Sequence, residues 1–178
     1  MTVKIITNII LIIGLGAAQI SLISGLPSLA GNLNLVLVVL IFILGFLNFN
    51  FAVWWSVGIG FLLETYSFLT FGTYLFSLSL TIIIANWLLN YFFTNRSLYS
   101  FLALTGLATV IYELIFSFLG FIFSAVNSFA SVMAANFWYF LLRQVCLNLL
   151  FTFLIYYIIH ILGKNLKPVF LLHSVKSR

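Results

Sequence analysis

The chain alternates between long apolar stretches and short polar breaks, and this pattern predicts transmembrane helices. From Ile5 to Leu63 there is no ionised side chain. A bilayer core about 30 Å thick needs roughly 20 apolar residues per spanning helix, so this stretch alone has room for two spans and most of a third. Residues 35–44 do not alternate between apolar and polar positions, as the strands of a membrane β-barrel would. The pattern therefore favours helices.

Turn-forming and polar residues divide the chain into six predicted spans that form one helical bundle. The spans cover residues 5–24, 33–47, 51–66, 73–93, 98–123 and 137–162. The second and third spans are short and tightly joined, so a re-entrant hairpin is the alternative for this pair. Residues 124–136 are rich in Ser, Ala and Asn and predict a loop, and Gly163 is the predicted end of the last span.

The positions of the basic residues predict the orientation of the bundle. Lys and Arg in short loops stay on the cytoplasmic side of a membrane. With six spans and the N-terminus inside, Lys4, Arg96 and the C-terminal tail all lie on that side. We therefore predict a transmembrane domain over residues 1–163 and a basic cytoplasmic tail over residues 164–178, which lies along the membrane surface or binds a cytoplasmic partner. The basic residues of the tail are Lys164, Lys167, Lys176 and Arg178.

The N-terminal stretch permits one alternative to this topology. Residues 1–30 resemble a cleaved signal peptide in having a positive charge before an apolar run. The apolar run is long for that purpose, and cleavage would leave the remaining loops on the wrong sides of the membrane. We therefore keep this stretch as the first span.

Composition excludes several other classes of protein. The chain is 65% hydrophobic and 5% charged, whereas soluble domains carry about 25% charged residues. The net charge is +5, but the basic residues are spread along the chain and do not form the cluster that binds nucleic acid. The single cysteine, Cys146, excludes an internal disulfide. We find no catalytic set of residues and no metal-ligand spacing, so the sequence predicts no enzyme, metal or cofactor.

Three ionisable residues lie inside the predicted spans, namely Glu64, Glu113 and Arg143. Such residues are costly in a bilayer and commonly functional. At a rise of about 1.5 Å per residue, all three fall in the outer half of the bilayer, where they can form one cluster. We expect Arg143 to bond Glu113. A substrate site and an ion pair that only fixes helix register are both open, as is a Glu64 side chain that reaches the interface.

The residues around the two acids predict a region filled by side chains. Phe, Leu and Ile dominate there, and Tyr66 and Tyr112 are the nearer polar groups. The sequence therefore predicts no pocket for a tightly held, vitamin-like ligand.

Small and polar residues within the spans predict how the helices pack. Gly14 and Ala18 in the first span, and Gly58 in the third, follow the spacing of small residues that lets membrane helices approach closely. Asn86, Asn90, Gln144 and Asn148 lie within apolar spans. We interpret these four as donors and acceptors of hydrogen bonds between helices.

A short segment resembles the family of the bacterial rod-shape-determining protein MreD. That family has a glycine, an acidic residue four positions later, a serine, and then a Pro-x-Gly-type turn that leads into the next span. Gly60, Glu64, Ser67 and Gly72 match this motif. The acidic residue is Glu where the family more often has Asp, and Thr70 stands where proline is usual. The motif covers about 15 residues, while chain length and span number agree over residues 1–165.

The resemblance implies a non-enzymatic part of the cell-elongation machinery in the bacterial cytoplasmic membrane. Proteins of this type work with MreC, the MreB filament and the peptidoglycan synthases. The family is also similar to the six-helix substrate-binding subunits of energy-coupling-factor vitamin transporters, which gives an uptake subunit as the alternative. There the ligand pocket would include the loop at residues 124–136, and the first span would contact the coupling subunit. A lipid-handling protein is a third interpretation, and membrane lipids are partners in every case.

Overall fold

The computed structural model of the protein describes residues 2–23, 31–67, 70–93, 97–124 and 135–174. Side chains are described for residues 6–21, 31–67, 70–93, 97–122 and 137–161. Within these ranges the regular structure is entirely helical. The predicted loop at residues 124–136 therefore lies almost wholly outside the described residues, as do the breaks at Pro27 and Arg96.

In the part of the chain that the structure describes, six α-helices correspond to the six predicted spans. They are α1 (Thr2–Ala17), α2 (Leu35–Phe46), α3 (Phe49–Tyr66), α4 (Thr73–Tyr91), α5 (Leu98–Ser124) and α6 (Ala135–Ser174), and a π-helical segment, Ala18–Ile23, continues α1. Among the described residues, three stretches are long and apolar enough to cross a membrane, namely Thr73–Tyr91, Leu98–Ile122 and Phe137–Ile161. The prediction of a helical membrane protein is confirmed at this level.

The second helix is the centre of the bundle and is not a lipid-facing span. Its 12 residues rise about 18 Å, which is less than the hydrocarbon thickness of a bilayer. Nine of them are buried, and α2 contacts α3, α4, α5 and α6. Phe101 of α5 stacks on Phe42 and on Phe46 at 5.1 Å between ring centroids. A Cβ at Gly45 would lie 2.5 Å from the Phe101 ring, so glycine makes this contact possible.

The surface around this core is apolar, as expected for contact with lipid. Ile10, Leu142 and Leu150 are each more than 60% exposed. Trp54 is exposed, whereas the adjacent Trp55 is buried in the core. The helix therefore turns only one of these two tryptophans outward.

The last helix is longer than the sequence predicts. It does not end at Gly163 but continues to Ser174. Glycine inside a helix costs only about 1 kcal/mol relative to alanine, and Lys164, Leu166 and Lys167 are good helix formers, so a single glycine does not stop the helix here. The backbone of the predicted tail is therefore helical as far as Ser174.

Close packing of the first helix uses a different glycine from the one predicted. A Cβ at Gly14 would have no atom within 4 Å, whereas one at Gly16 would lie 3.4 Å from Leu62 of α3. Gly58 does face α1, since a Cβ there would lie 3.4 Å from Ile12. Ala18 opens the π-helical segment. Gly14 therefore does not pack against another described helix, because residues two positions apart point to different sides of a helix.

Candidate functional site

The turn between α3 and α4 brings the four motif residues into one unit, beginning with Gly60. A Cβ at Gly60 would lie 2.8 Å from the Cα of Leu75 and 3.3 Å from its backbone nitrogen. Any side chain at this position would meet the backbone of α4. Glycine therefore lets the start of α4 approach α3 more closely than two ordinary residues allow.

Glu64, one helical turn after Gly60, binds the N-terminus of α4. Its Oε1 accepts a hydrogen bond from the backbone nitrogen of Thr73 at 3.2 Å. Its Oε2 accepts from the backbone nitrogens of Tyr74 at 3.0 Å and Leu75 at 3.1 Å. The first N–H groups of a helix have no partner within the helix, and they favour negative charge. The negative charge of Glu64, which is 5% exposed, is therefore stabilised by the N-terminus of α4.

Ser67 and Gly72 complete the turn. Ser67 donates to the carbonyl of Glu64 through its backbone nitrogen and through its Oγ, both at 3.2 Å. Gly72 precedes α4 with a φ of +103°, in the region that glycine adopts at little cost. Because Gly72 has no side chain, it cannot cap α4 itself, and Glu64 supplies the cap. Residues 68 and 69 lie outside the description.

The N-terminus of α2 is capped in a similar way by residues of other segments. Gln19 accepts hydrogen bonds from the backbone nitrogens of Leu35 at 2.9 Å and Val36 at 3.4 Å. Its amide nitrogen donates to the carbonyl of Leu33 at 3.0 Å. The third free N–H, that of Leu37, is bonded by the side chain of Asn34 at 3.0 Å. The free backbone N–H groups at the N-terminus of α2 are thus all hydrogen-bonded, although this terminus lies inside an apolar bundle.

Asn148 connects this terminus to α5 and α6. Its Oδ1 accepts from the backbone nitrogen of Asn34 at 3.0 Å, and its Nδ2 donates to Oγ1 of Thr109 at 2.9 Å. The predicted role of Asn148 in bonding between helices is confirmed. The network fixes the depth of α2 relative to its neighbours.

A cavity of about 330 Å³ opens between these two capped termini. It is bounded by both ends of the α3–α4 turn, the start of α2, the π-helical segment, and parts of α5 and α6. Its lining residues are Gln19, Ile20, Gly31, Asn32, Leu33, Asn34, Leu63, Tyr66, Ser67, Tyr74, Tyr112, Glu113, Phe116, Phe140 and Gln144. The expectation that side chains fill this region was wrong. Polar residues reach it from segments distant in sequence, and two of them, Gln19 and Asn34, make the bonds that cap α2.

Glu113 lies in the wall of this cavity beside Gln144. The Glu113 carboxyl is hydrogen-bonded to the side-chain amide of Gln144, and the two residues are 7% and 5% exposed. Oε1 of Gln144 is buried with no hydrogen-bond partner, so its Nε2 makes the bond. Oε1 is left as an unpaired acceptor.

Arg143 lies on α6 next to Gln144, and its guanidinium stands 5.7 Å from the centroid of the Tyr139 ring. Of the three ionisable residues predicted to form a cluster, Glu113 alone is among the described residues that line the cavity. Glu64 is bonded to α4. The bond between Arg143 and Glu113 stays a prediction, as does a cluster of all three.

Aromatic rings form another wall of the cavity. Phe116 lies 5.0 Å from the Tyr74 ring in an edge-on arrangement and 5.7 Å from the Tyr112 ring. The hydroxyl of Tyr112 is hydrogen-bonded to the side chain of Asn34. Glu113 and three aromatic residues thus line one space. Such a site can accept hydrogen bonds and can contact a cation through ring faces.

Several predicted residues lie beyond the described side chains. These are Lys4 and the four basic residues Lys164, Lys167, Lys176 and Arg178. Sequence reasoning also missed the roles of Gln19, Asn34 and Tyr74. Two weak signals for these roles were present in the sequence. Gln19 is the single amide side chain in the apolar run that follows Thr7 and Asn8, which marks it as a hydrogen-bonding residue inside the bundle. Asn34 directly precedes an apolar run, as residues that cap helices do.

Comparison with known proteins found no matching protein-family model, curated protein or solved structure. The function must therefore be argued from the residues of this chain.

Proposed function

We propose that the protein is a non-enzymatic, MreD-like component of the cell-elongation machinery in the cytoplasmic membrane of a bacterium. The observation that carries this proposal is the α3–α4 turn. Gly60, Glu64, Ser67 and Gly72, which match the family motif, each have a distinct part in that turn. A chance match of four residues would not be expected to form a single cooperating structure.

The two departures from the motif agree with this interpretation. Glu64 reaches three backbone N–H groups, and an aspartate in its place carries the same charge on a side chain that is one methylene shorter. Thr70 stands at the usual proline position, and its carbonyl accepts from Oγ1 of Thr73 at 2.8 Å. A proline also has a carbonyl, so this bond does not depend on the residue type. The capping function of the motif is thus compatible with both sequences.

The proposal includes six spans with both termini in the cytoplasm. It is supported by the lining of the cavity, which combines the C-terminal parts of α1, α3 and α5 with the N-terminal parts of α2, α4 and α6. Consecutive helices therefore alternate in direction. The absence of Lys and Arg from the sequence between the helices at this end favours the outer side for the cavity.

Reporter fusions test this orientation. Fusions at Lys4 and at Arg178 are expected to give cytoplasmic signals, because basic residues resist transfer across the membrane. A fusion at Asn127 is the matched control and should give an external signal. An external signal from either terminus would contradict the six-span topology.

The role in elongation is tested in the bacterium that encodes the chain. Affinity-tagged protein is expected to co-purify with the MreC-type protein of that cell, and its depletion should convert rods to rounded cells. An unrelated polytopic protein with the same tag controls for non-specific capture. Depletion that leaves cell shape unchanged, together with no enrichment of the MreC-type protein, would refute the proposal.

The cavity favours a second candidate, a substrate-binding subunit of an energy-coupling-factor type transporter. A cavity of about 330 Å³ is within the usual range of small-molecule sites, and a scaffold has no evident need for it. Gene neighbourhood separates the two candidates. Adjacent filament and coiled-coil genes favour the elongation role, whereas an adjacent pair of ATPase genes favours uptake.

A further inference from the structure

We propose that the cavity between α2, α4, α5 and α6 is a binding site for an ammonium group, held by Glu113 against the aromatic wall. The ammonium group belongs either to a lipid headgroup or to a small soluble amine. This inference does not rest on the elongation role. It gives the substrate class if the protein is an uptake subunit.

The charges of the lining residues select a cation. Glu113 is the one acidic residue among the described residues that line the cavity, and none of these is Lys, Arg or His. A carboxylate held away from water is costly unless it is paired. A bound ammonium supplies that pairing, and a charge-assisted hydrogen bond is stronger than a neutral one.

The hydrogen-bonding capacity of an ammonium group suits the Glu113 carboxyl. An ammonium group has three N–H donors and no acceptor, and a carboxylate only accepts. Gln144 lies beside Glu113 in the lining and is bonded to it, so it holds the carboxyl in place. Oε1 of Gln144 is enclosed by protein atoms, so the ammonium group is bonded by Glu113.

The aromatic wall adds a second kind of contact with the same charge. Phe116, Tyr74 and Tyr112 are in mutual contact and line the cavity. Cations are attracted to the faces of such rings, more strongly where water is excluded. Apolar residues such as Ile20 and Phe140 complete the lining, and they suit the carbon atoms that carry an amine.

The test uses the full-length protein purified in phosphatidylglycerol nanodiscs. Binding of ethanolamine and of dihexanoyl-phosphatidylethanolamine is measured by calorimetry. The matched probes without an ammonium group are ethylene glycol, which is uncharged, and dihexanoyl-phosphatidylglycerol, which keeps the phosphodiester. Saturable binding of at least one amine, with at least about tenfold weaker binding of its counterpart without the ammonium group, is expected. Binding by the lipid alone identifies a headgroup site, and binding by ethanolamine alone identifies a soluble amine.

Two variants locate the binding. Glu113→Gln is expected to weaken amine binding by at least about tenfold, while His160→Gln, an exposed position outside the lining, should retain it. Thermal unfolding of each variant shows whether it is folded. If Glu113→Gln does not fold, the comparison of probes with and without the ammonium group on the unmodified protein is decisive. Equal binding of probes with and without the ammonium group, unchanged binding by folded Glu113→Gln, or no binding of either amine would overturn the proposal. None of these results bears on capture of the MreC-type protein.

Discussion

Replacing Glu64 with glutamine is expected to lower the free energy of unfolding by about 2–4 kcal/mol. The carboxylate accepts three backbone hydrogen bonds from Thr73, Tyr74 and Leu75 at the start of α4. A glutamine has one acceptor oxygen, and its NH₂ group would face a backbone N–H, so at least one of these three bonds is lost. The backbone nitrogen of Thr73 would keep its other bond, to the carbonyl of Thr70 at 3.3 Å. The favourable interaction between a negative charge and the helix N-terminus is lost as well.

The effect is measured by unfolding of the purified protein in a mild detergent, and by hydrogen exchange at residues 73–75. Exchange at these amides should become faster in Glu64→Gln. Glu113→Gln is the matched control, because it makes the same chemical change at a buried acid whose described hydrogen bond is to a side chain. If the two variants have equal stability and equal exchange at residues 73–75, Glu64 does not cap α4.

Replacing Gly60 with alanine is the second large change, with an expected loss of about 1–3 kcal/mol. The added Cβ would lie 2.8 Å from Cα of Leu75, and since Leu75 offers backbone rather than a flexible side chain there, α3 and α4 must separate. Separation would also lengthen the bonds from Glu64 to α4. The losses from Gly60→Ala and Glu64→Gln should therefore not add in the double variant.

Gly14→Ala is the control for helix propensity, since a Cβ at Gly14 meets nothing within 4 Å. Alanine is the better helix former by up to about 1 kcal/mol, so Gly14→Ala should be neutral or stabilising in the same unfolding measurement. The two glycine substitutions are thus expected to differ in sign. A Gly60→Ala variant as stable as Gly14→Ala would show that the close approach of α3 and α4 is not needed.

The positions of the helices could be read from the sequence because polar and turn-forming residues interrupt apolar runs at few places. Helix α4 begins at Thr73 as predicted, directly after Gly72. The burial of α2 could not be read in the same way. Lipid chains are as apolar as leucine, so hydropathy does not distinguish a helix in lipid from one surrounded by protein.

The candidate site was only partly predictable, for a different reason. Glu64 and Glu113 were identified from their charge, but the partners of Glu64 are backbone N–H groups, which carry no signal in the residue type. The cavity depends on Gln19, Asn34 and Gln144, which are brought together by the fold from three separate segments. Local patterns contain no information on such proximity, so the sequence indicated a filled interior.

The bond between Asn34 and Asn148 has a consequence for biogenesis. Its two residues are separated by 114 positions, so when α2 leaves the ribosome the residue that will accept the backbone N–H of Asn34 has not been synthesised. A short helix with an incomplete terminus is poorly suited to remain in lipid unassisted. We therefore expect the insertion machinery, or water near the membrane surface, to shelter α2 until α6 has been synthesised, so that the bundle closes around its centre only after that point.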